Sequence, residues 1–214
     1  MEPITLTTGR LRLRAFTEND TDEVFRLCQD PGIQRWTMVP SPYGREHAAE
    51  FTGQIVPEGW RTATSPTFAL VAPEDDKPMG SISVMLRTLS GTWEVGFWLG
   101  AEYRGRGLMT EAVTEIARWS FTRLGATRLE WRAEVGNTDS RAVALRAGFT
   151  FEGTLRAALE SDGTLRDAWL GSLLPSDLGL SGRTAYLPAR ADASAAVSGG
   201  TGPERAAAAG GDRP

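Results

Sequence analysis

Two short segments carry residues whose types and spacing suit the holding of an anion and the handling of a proton. In "WLGAEYRGRGLMTEA" a strand-like stretch turns into a helix-like one across Arg104-Gly105-Arg106-Gly107. Glycines at such a corner let the backbone come close to a ligand, because they carry no Cβ. Free N–H groups at the start of the following helix, with its dipole, attract phosphate oxygens. Arg104 and Arg106 would neutralise charge at the rim. By itself the corner is equally a plain turn with solvated arginines, since Lys77 is the sole lysine and arginine carries nearly all the positive charge.

The neighbours narrow the choice. A dinucleotide fingerprint G-x-G-x-x-G would need a third glycine where Thr110 stands, and a P-loop would need a Gly-Lys-Ser/Thr ending that is missing. In the second segment, "EVGNTDSRAVALRAGF", Asn137 and Ser140 stand at i and i+3 on one face of a short helix's first turn. Taken singly, Asn137 is an N-cap and Ser140 an ordinary residue of the capped turn.

Composition bounds the rest. The 214 residues suffice for one domain with a sizeable core plus a tail, and 41% hydrophobic content with seven Trp and eight Phe predicts a packed interior. No apolar run approaches the ~18 residues that span a bilayer. The start "MEPITLTTGRLRLR" lacks the order of a signal peptide. A soluble cytoplasmic protein is expected, with no membrane partner. A net charge of −4 argues against a nucleic-acid partner. Cys28 and His47 are the only residues of their kinds. That excludes an intramolecular disulfide, a Cys/His zinc site and any Ser-His or Cys-His nucleophile system not built on His47, and no metal is expected. Cys28 reads as core and His47 as an exposed helix start.

The elements follow from periodicity. "GRLRLRAF" alternates as a strand with one wet face, and "TENDTDEVFRLC" opens a helix with Thr17, Asn19 and Asp20 as competing caps. "IQRWTMVPSPYG" reads as a Pro-broken loop, and "REHAAEFTGQIV" as a second helical stretch. "TFALVA", "MGSISVML" and "TWEVGFWLG" predict a meander of three strands. "LMTEAVTEIARWSFTRLG" is the clearest helix, with Leu108, Ala112, Val113, Ile116, Ser120, Phe121 and Leu124 on one stripe. A strand "RLEWRAEV", a short helix "NTDSRAVALRAG" and a hairpin of "FTFEGTLRAAL" with "LRDAWLGSLL" close the domain. Residues 1–184 read as one α/β domain, and residues 185–214, rich in Ala and Gly, as a flexible tail.

A glycine-rich strand-helix corner, a strand, then Asn-x-x-Ser opening a helix before "AGF" resembles the GNAT acetyltransferase superfamily. "TGRLRLRAFTEND", "EVGFWLGAEYRGRGLMTEA", "NTDSRAVALRAGFTFEGTLR" and "RDAWLGSLL" look like its ribosomal-protein N-acetyltransferase (RimJ/RimL-like) branch, over roughly residues 5 to 175. The resemblance implies an α/β (α+β) fold with a mixed, mostly antiparallel sheet of about six to seven strands flanked by helices. It implies acetyl-CoA as co-substrate, its pyrophosphate wrapped by Arg104, Gly105, Arg106, Gly107, Leu108, Met109 and Thr110. Met109 stands where the family usually has Gly or Ala. Phe97, Trp98 and Leu99 would offer backbone N–H groups to pantetheine and the thioester oxygen. Asn137 would bond the pantetheine arm, and Ser140 would protonate the departing thiolate.

For the general base, the family pattern asks for a carboxylate a few residues after "EGTLR". Leu159 takes that position, with Glu160 one step along. One step flips a strand residue to the other face, so Glu160 would need a bulge to turn inward. Glu94 and Glu134 are rivals, and each equally reads as a surface charge. Neutralising a lysine amine (pKa ~10.4) at pH 7 costs about 4.6 kcal/mol, against about 1 for an α-amine near ~7.8. The expected acceptor is therefore an α-amino group of a peptide or protein N-terminus. A small amine is the runner-up, and a non-catalytic CoA-binding regulatory module is the reading from another class. Trp36 and Tyr43 would shape the acceptor pocket or pack in the core. The sequence leaves the oligomeric state open, a homodimer included.

Overall fold

The alternation over Leu11–Ala15 produces β2 (Arg12–Ala15), and the other apolar runs give β3 (Thr67–Val71), β4 (Pro78–Leu86), β5 (Thr92–Leu99) and β6 (Arg128–Glu134). The closing hairpin is β7 (Thr150–Ser161) with β8 (Thr164–Leu173). The computed structural model describes residues 1–188 except Leu89 and Asp162. Of the expected tail, residues 185–214, the part from residue 189 onward lies outside the described residues. Residues Met1–Thr184 make one folded unit.

The sheet has eight strands, more than the six or seven expected, in the order β1-β2-β3-β4-β5-β6-β8-β7. The extra strand is β1 (Leu6–Thr7), whose two residues are too few to show any alternation in the sequence. Every neighbouring pair is antiparallel except β5 with β6, which run parallel.

Register sorts the two faces. Ile82 sits opposite Phe97, Val84 opposite Val95, and Trp93 opposite Leu129, so these share one face. On that face packs α5 (Leu108–Trp119), extended by a π turn over Ser120–Leu124. Leu108, Ala112, Val113, Ile116, Ser120 and Phe121 are all buried, as the stripe predicts. Trp60, Phe68 and Trp119 meet with ring centroids 4.9–6.3 Å apart, and Trp60 Nε1–H donates to the Thr67 carbonyl at 2.9 Å.

α1 (Thr21–Leu27) follows a 3₁₀ turn at Glu18–Asp20, whose Asp20 carboxylate accepts from the Thr17 N–H. The segment read as a Pro-broken loop instead starts as a helix, α2 (Pro31–Trp36). Asp30 caps it by accepting from the N–H groups of Gly32 and Ile33 at 2.6 and 3.0 Å, and Pro31 takes the first helical position. The second helical stretch is longer than its periodicity suggested. It comprises α3 (Arg45–Glu50), a π segment at Phe51–Ile55 and α4 (Val56–Thr62). The wider turn lies just before Pro57, where an ordinary i→i−4 bond has no N–H to use. α6 (Thr138–Arg146) completes the set. Among the described residues no helix is long and apolar enough to cross a membrane.

Candidate active site

The parallel pairing of β5 with β6 stops at Val95 opposite Trp131. Both strands continue, β5 to Leu99 and β6 to Glu134, while their outer edges stay paired to β4 and β8. A sheet that opens between two central strands leaves backbone donors and acceptors without partners on the inner edges. A cavity of about 490 Å³ lies against the β5 side of this opening. Phe97, Trp98 and Leu99 of β5 line it, with Asn137 and Ser140 at the start of α6 and Leu108, Met109 and Thr110 at the start of α5.

The corner ahead of α5 is built as its glycines require. Gly105 and Gly107 have φ of 74° and 75°, a left-handed conformation costly to other residues. Both line the cavity. A Cβ on Gly105 would meet nothing within 4 Å, so open space lies over this backbone. Arg10 buttresses the corner from behind. It pairs with Glu111 at 2.6 Å and donates to the Arg106 carbonyl at 2.9 Å.

The two corner arginines do not both turn to the cavity. Arg106 donates to the Glu102 carbonyl at 2.8 Å and is not among the lining residues. Arg104 does line it, but its Nε–H donates to the Leu99 carbonyl at 2.9 Å and its Nη2 lies 3.2 Å from Asp30 Oδ1. It thereby ties the end of β5 to the cap of α2. Burial alone would raise the Asp30 pKa. The Ile33 and Gly32 N–H groups and the Arg104 guanidinium outweigh burial and hold the carboxyl below its usual range.

α2 supplies the remaining wall through Gly32, Ile33 and Trp36, with Thr37 just beyond. Its far end is tied down by a second ion pair, Arg35 to Glu134, with contacts of 2.6 and 2.8 Å. The Arg35 guanidinium also stacks 4.1 Å from the Trp36 ring centroid. Tyr43 is not brought to the cavity. It is buried beside Cys28, with the His47 ring 5.5 Å away.

At the start of α6, Asn137 Oδ1 accepts from the Ser140 N–H at 3.2 Å, which leaves the Asn137 amide NH₂ free for a ligand. The Ser140 Oγ accepts from the buried Trp131 Nε1–H at 2.9 Å. That donor occupies an oxygen lone pair, so the hydroxyl hydrogen is available to donate elsewhere.

None of the three glutamates lines the cavity. β7 does bulge: Leu155 pairs with Ala168 and Leu159 with Arg166, with Ala157 at φ 52° between them. The bulge adds two residues, an even number, and Glu160 ends up exposed opposite Leu165 near the hairpin tip. Glu94 lies on the sheet face opposite Val95 and Phe97. Burial raises its pKa against the pull of Arg87 and Arg132, which lie 3.0 and 3.5 Å away. Glu134 is held below the usual carboxylate range by its hydrogen bonds with Arg35. The cavity's one carboxylate among the described residues is Asp139, which the sequence reading passed over together with Ala142, Val143 and Arg146. Their spacing, i, i+3, i+4 and i+7, is one helical face and was available as a signal.

An opened parallel pair, a glycine corner leading into a helix and a capped second helix meet around one cavity. Residues 10–150 match the acetyltransferase (GNAT) domain family, and the chain belongs to that family. An uncharacterized N-acetyltransferase, p20, of Bacillus licheniformis is 29% identical over 79% of this chain and 96% of its own length. The ribosomal-protein-serine acetyltransferase of Escherichia coli strain K12 is 31% identical over 40% of this chain and 48% of its own. Among solved structures, RimL, a ribosomal α-N-protein acetyltransferase in complex with coenzyme A, superposes with a TM-score of 0.72. It is 20% identical, over 81% of this chain and 98% of its own. The chain is thus an acetyltransferase of the GNAT family whose relatives are named N-acetyltransferases.

Proposed function

We propose that this enzyme uses acetyl-CoA to acetylate a primary amine by direct attack, and that the acceptor is the α-amino group of a protein or peptide N-terminus in the cytoplasm. The observation that carries the reading is the opening between β5 and β6, with the glycine corner and Ser140 bordering the same cavity. Coenzyme A is bound by the RimL neighbour, and the cradle here fits such a ligand: left-handed glycines, open space over Gly105, and a β5 edge that runs on past its pairing with β6.

In this reading the N–H groups at Gly107–Thr110 and the α5 dipole hold the pyrophosphate. The β5 edge at Phe97, Trp98 and Leu99 bonds the pantetheine arm and steadies the developing oxyanion, an effect that typically lowers the barrier by about 3 kcal/mol. The Asn137 amide holds the arm, and Trp36 borders the acceptor. The neutral amine attacks the thioester carbon and the carbon–sulfur bond breaks. Ser140 Oγ–H gives its proton to the leaving thiolate, and the amine's surplus proton restores it. The three glutamates stand outside the cavity and its one carboxylate among the described residues, Asp139, is given no role as base in this reading, so the amine arrives neutral. That requirement favours an α-amine over a lysine, which is harder to deprotonate by about 3.5 kcal/mol.

The test is thiol release from acetyl-CoA with matched α-amine peptides, lysine peptides, polyamines and aminoglycosides. Turnover with α-amine peptides above all others at pH 7 is expected. Preference for lysine side chains or polyamines would overturn the acceptor, and no turnover with any amine would favour a CoA-binding regulatory module.

A further inference from the structure

We propose that Arg146 reads the ribose 3′-phosphate of coenzyme A and so separates it from dephospho-coenzyme A. The inference rests on the acetyl-CoA reading and adds a binding residue that neither the glycine corner nor the capped turn supplies.

α6 lies along the cavity by one face, with Asp139, Ala142, Val143 and Arg146 among the lining residues. At 1.5 Å per residue, the seven steps from Asp139 to Arg146 span about 10 Å. The two ends of this face differ in chemistry. The first turn holds Asn137 and Ser140, and Ser140 is anchored to Trp131 at the point where β5 and β6 part. The last turn presents a guanidinium. Coenzyme A is polar in the same sense, with its thiol at one end and all its phosphate charge at the other. A sulfur placed by Ser140 therefore directs the nucleotide toward Arg146.

Charge accounting inside the cavity singles out the same residue. Two arginines line it, Arg104 and Arg146. Arg104 is engaged by the Leu99 carbonyl and by Asp30. Outside the lining, Arg10 is paired with Glu111, and Arg106 donates to Glu102. Arg146 is exposed and has no hydrogen bond or ion pair among the described residues. The backbone N–H groups of the corner suit the pyrophosphate. A phosphomonoester, with its second negative charge, suits a guanidinium fork able to give two parallel N–H bonds.

An arginine in the last turn of a helix also interacts favourably with the helix dipole, a purely structural role. The experiment separates the two. Calorimetric Kd values for coenzyme A and for dephospho-coenzyme A are measured on the wild type, Arg146→Gln and Arg146→Lys, with the melting temperature of each free protein. The wild type is expected to favour coenzyme A by roughly tenfold, the scale of a charge-assisted contact at an exposed site. Arg146→Gln should bring that ratio close to one by weakening coenzyme A alone, and Arg146→Lys should keep part of it. Equal weakening of both ligands would assign Arg146 to the pyrophosphate or to helix stability, and an unchanged ratio would leave it without a ligand role. Either result overturns the proposal. A wild type that binds neither ligand overturns the acetyl-CoA reading itself, and a wild type that binds both alike overturns only this inference.

Discussion

Arg104→Gln separates two roles that the sequence could not. In the structure this guanidinium faces Leu99 and Asp30. Removing it deletes one bond to a backbone carbonyl, about 1 kcal/mol, and a partly exposed ion pair, about 0.5 kcal/mol. Asp30→Asn deletes only the charge, because asparagine caps a helix as well as aspartate does, and Asp30→Ala also removes the cap, worth about 1 kcal/mol more. The expected order of destabilisation in urea melts is Asp30→Asn, then Arg104→Gln and Asp30→Ala at similar, larger values. The Asp30 carboxyl titrates below its ordinary value in the folded chain. Its contribution is therefore complete above about pH 3.9 and is lost as pH falls through the folded value. In the proposed reading α2 borders the acceptor, so a shift of α2 relative to β5 displaces that wall. Turnover of an α-amine peptide should fall by roughly tenfold, while the Kd for coenzyme A stays within about twofold. Loss of coenzyme A affinity in step with turnover would refute the reasoning and return Arg104 to the phosphate.

Three further outcomes are expected. Ser140→Ala should lower kcat by roughly 10²-fold with coenzyme A affinity little changed, and Trp131→Phe, which removes the donor to Ser140 together with part of a buried ring, should fall between it and the wild type in acetyl-CoA turnover assays. Glu160→Gln should leave both turnover and its pH profile unaltered in the same assay. Cys28 is buried and its thiol is pushed up to about 12, chiefly by desolvation. Alkylation by iodoacetamide at pH 8 should therefore proceed only at the rate of unfolding, as measured by mass spectrometry against denaturant.

The large elements were legible because their physics is local. α5 carries one apolar stripe along its length, and β3, β4, β5 and β6 show runs or alternation bounded by turns. α2 is hard to read because Pro40 and Pro42 just after it signal a broken loop, although Asp30-Pro31 ahead of it is a helix start. β1 is two residues long and has no pattern to read. The π turn before Pro57 follows from the missing N–H of that proline, whereas the one at Ser120–Leu124 has no such mark in the sequence. At the site, the glycines and Asn-x-x-Ser were visible because each needs a particular backbone shape. The partners were not. Nothing near Arg104 in the chain points to Asp30, and nothing near Ser140 points to the indole of Trp131. Asp139 and Arg146 look like any charged pair on a solvated helix until the sheet opens beside them.

That opening has a mechanical meaning. Thr92–Val95 against Arg128–Trp131 is a seam of four residue pairs joining two smaller sheets, β1–β5 and β6–β8. In the proposed reading coenzyme A lies against the β5 edge on one side of that seam and the start of α6, which follows β6, on the other, and so would bridge the two panels. Amide exchange along Gly96–Leu99 and Arg132–Glu134 should slow together on loading, and the melting temperature should rise with ligand concentration.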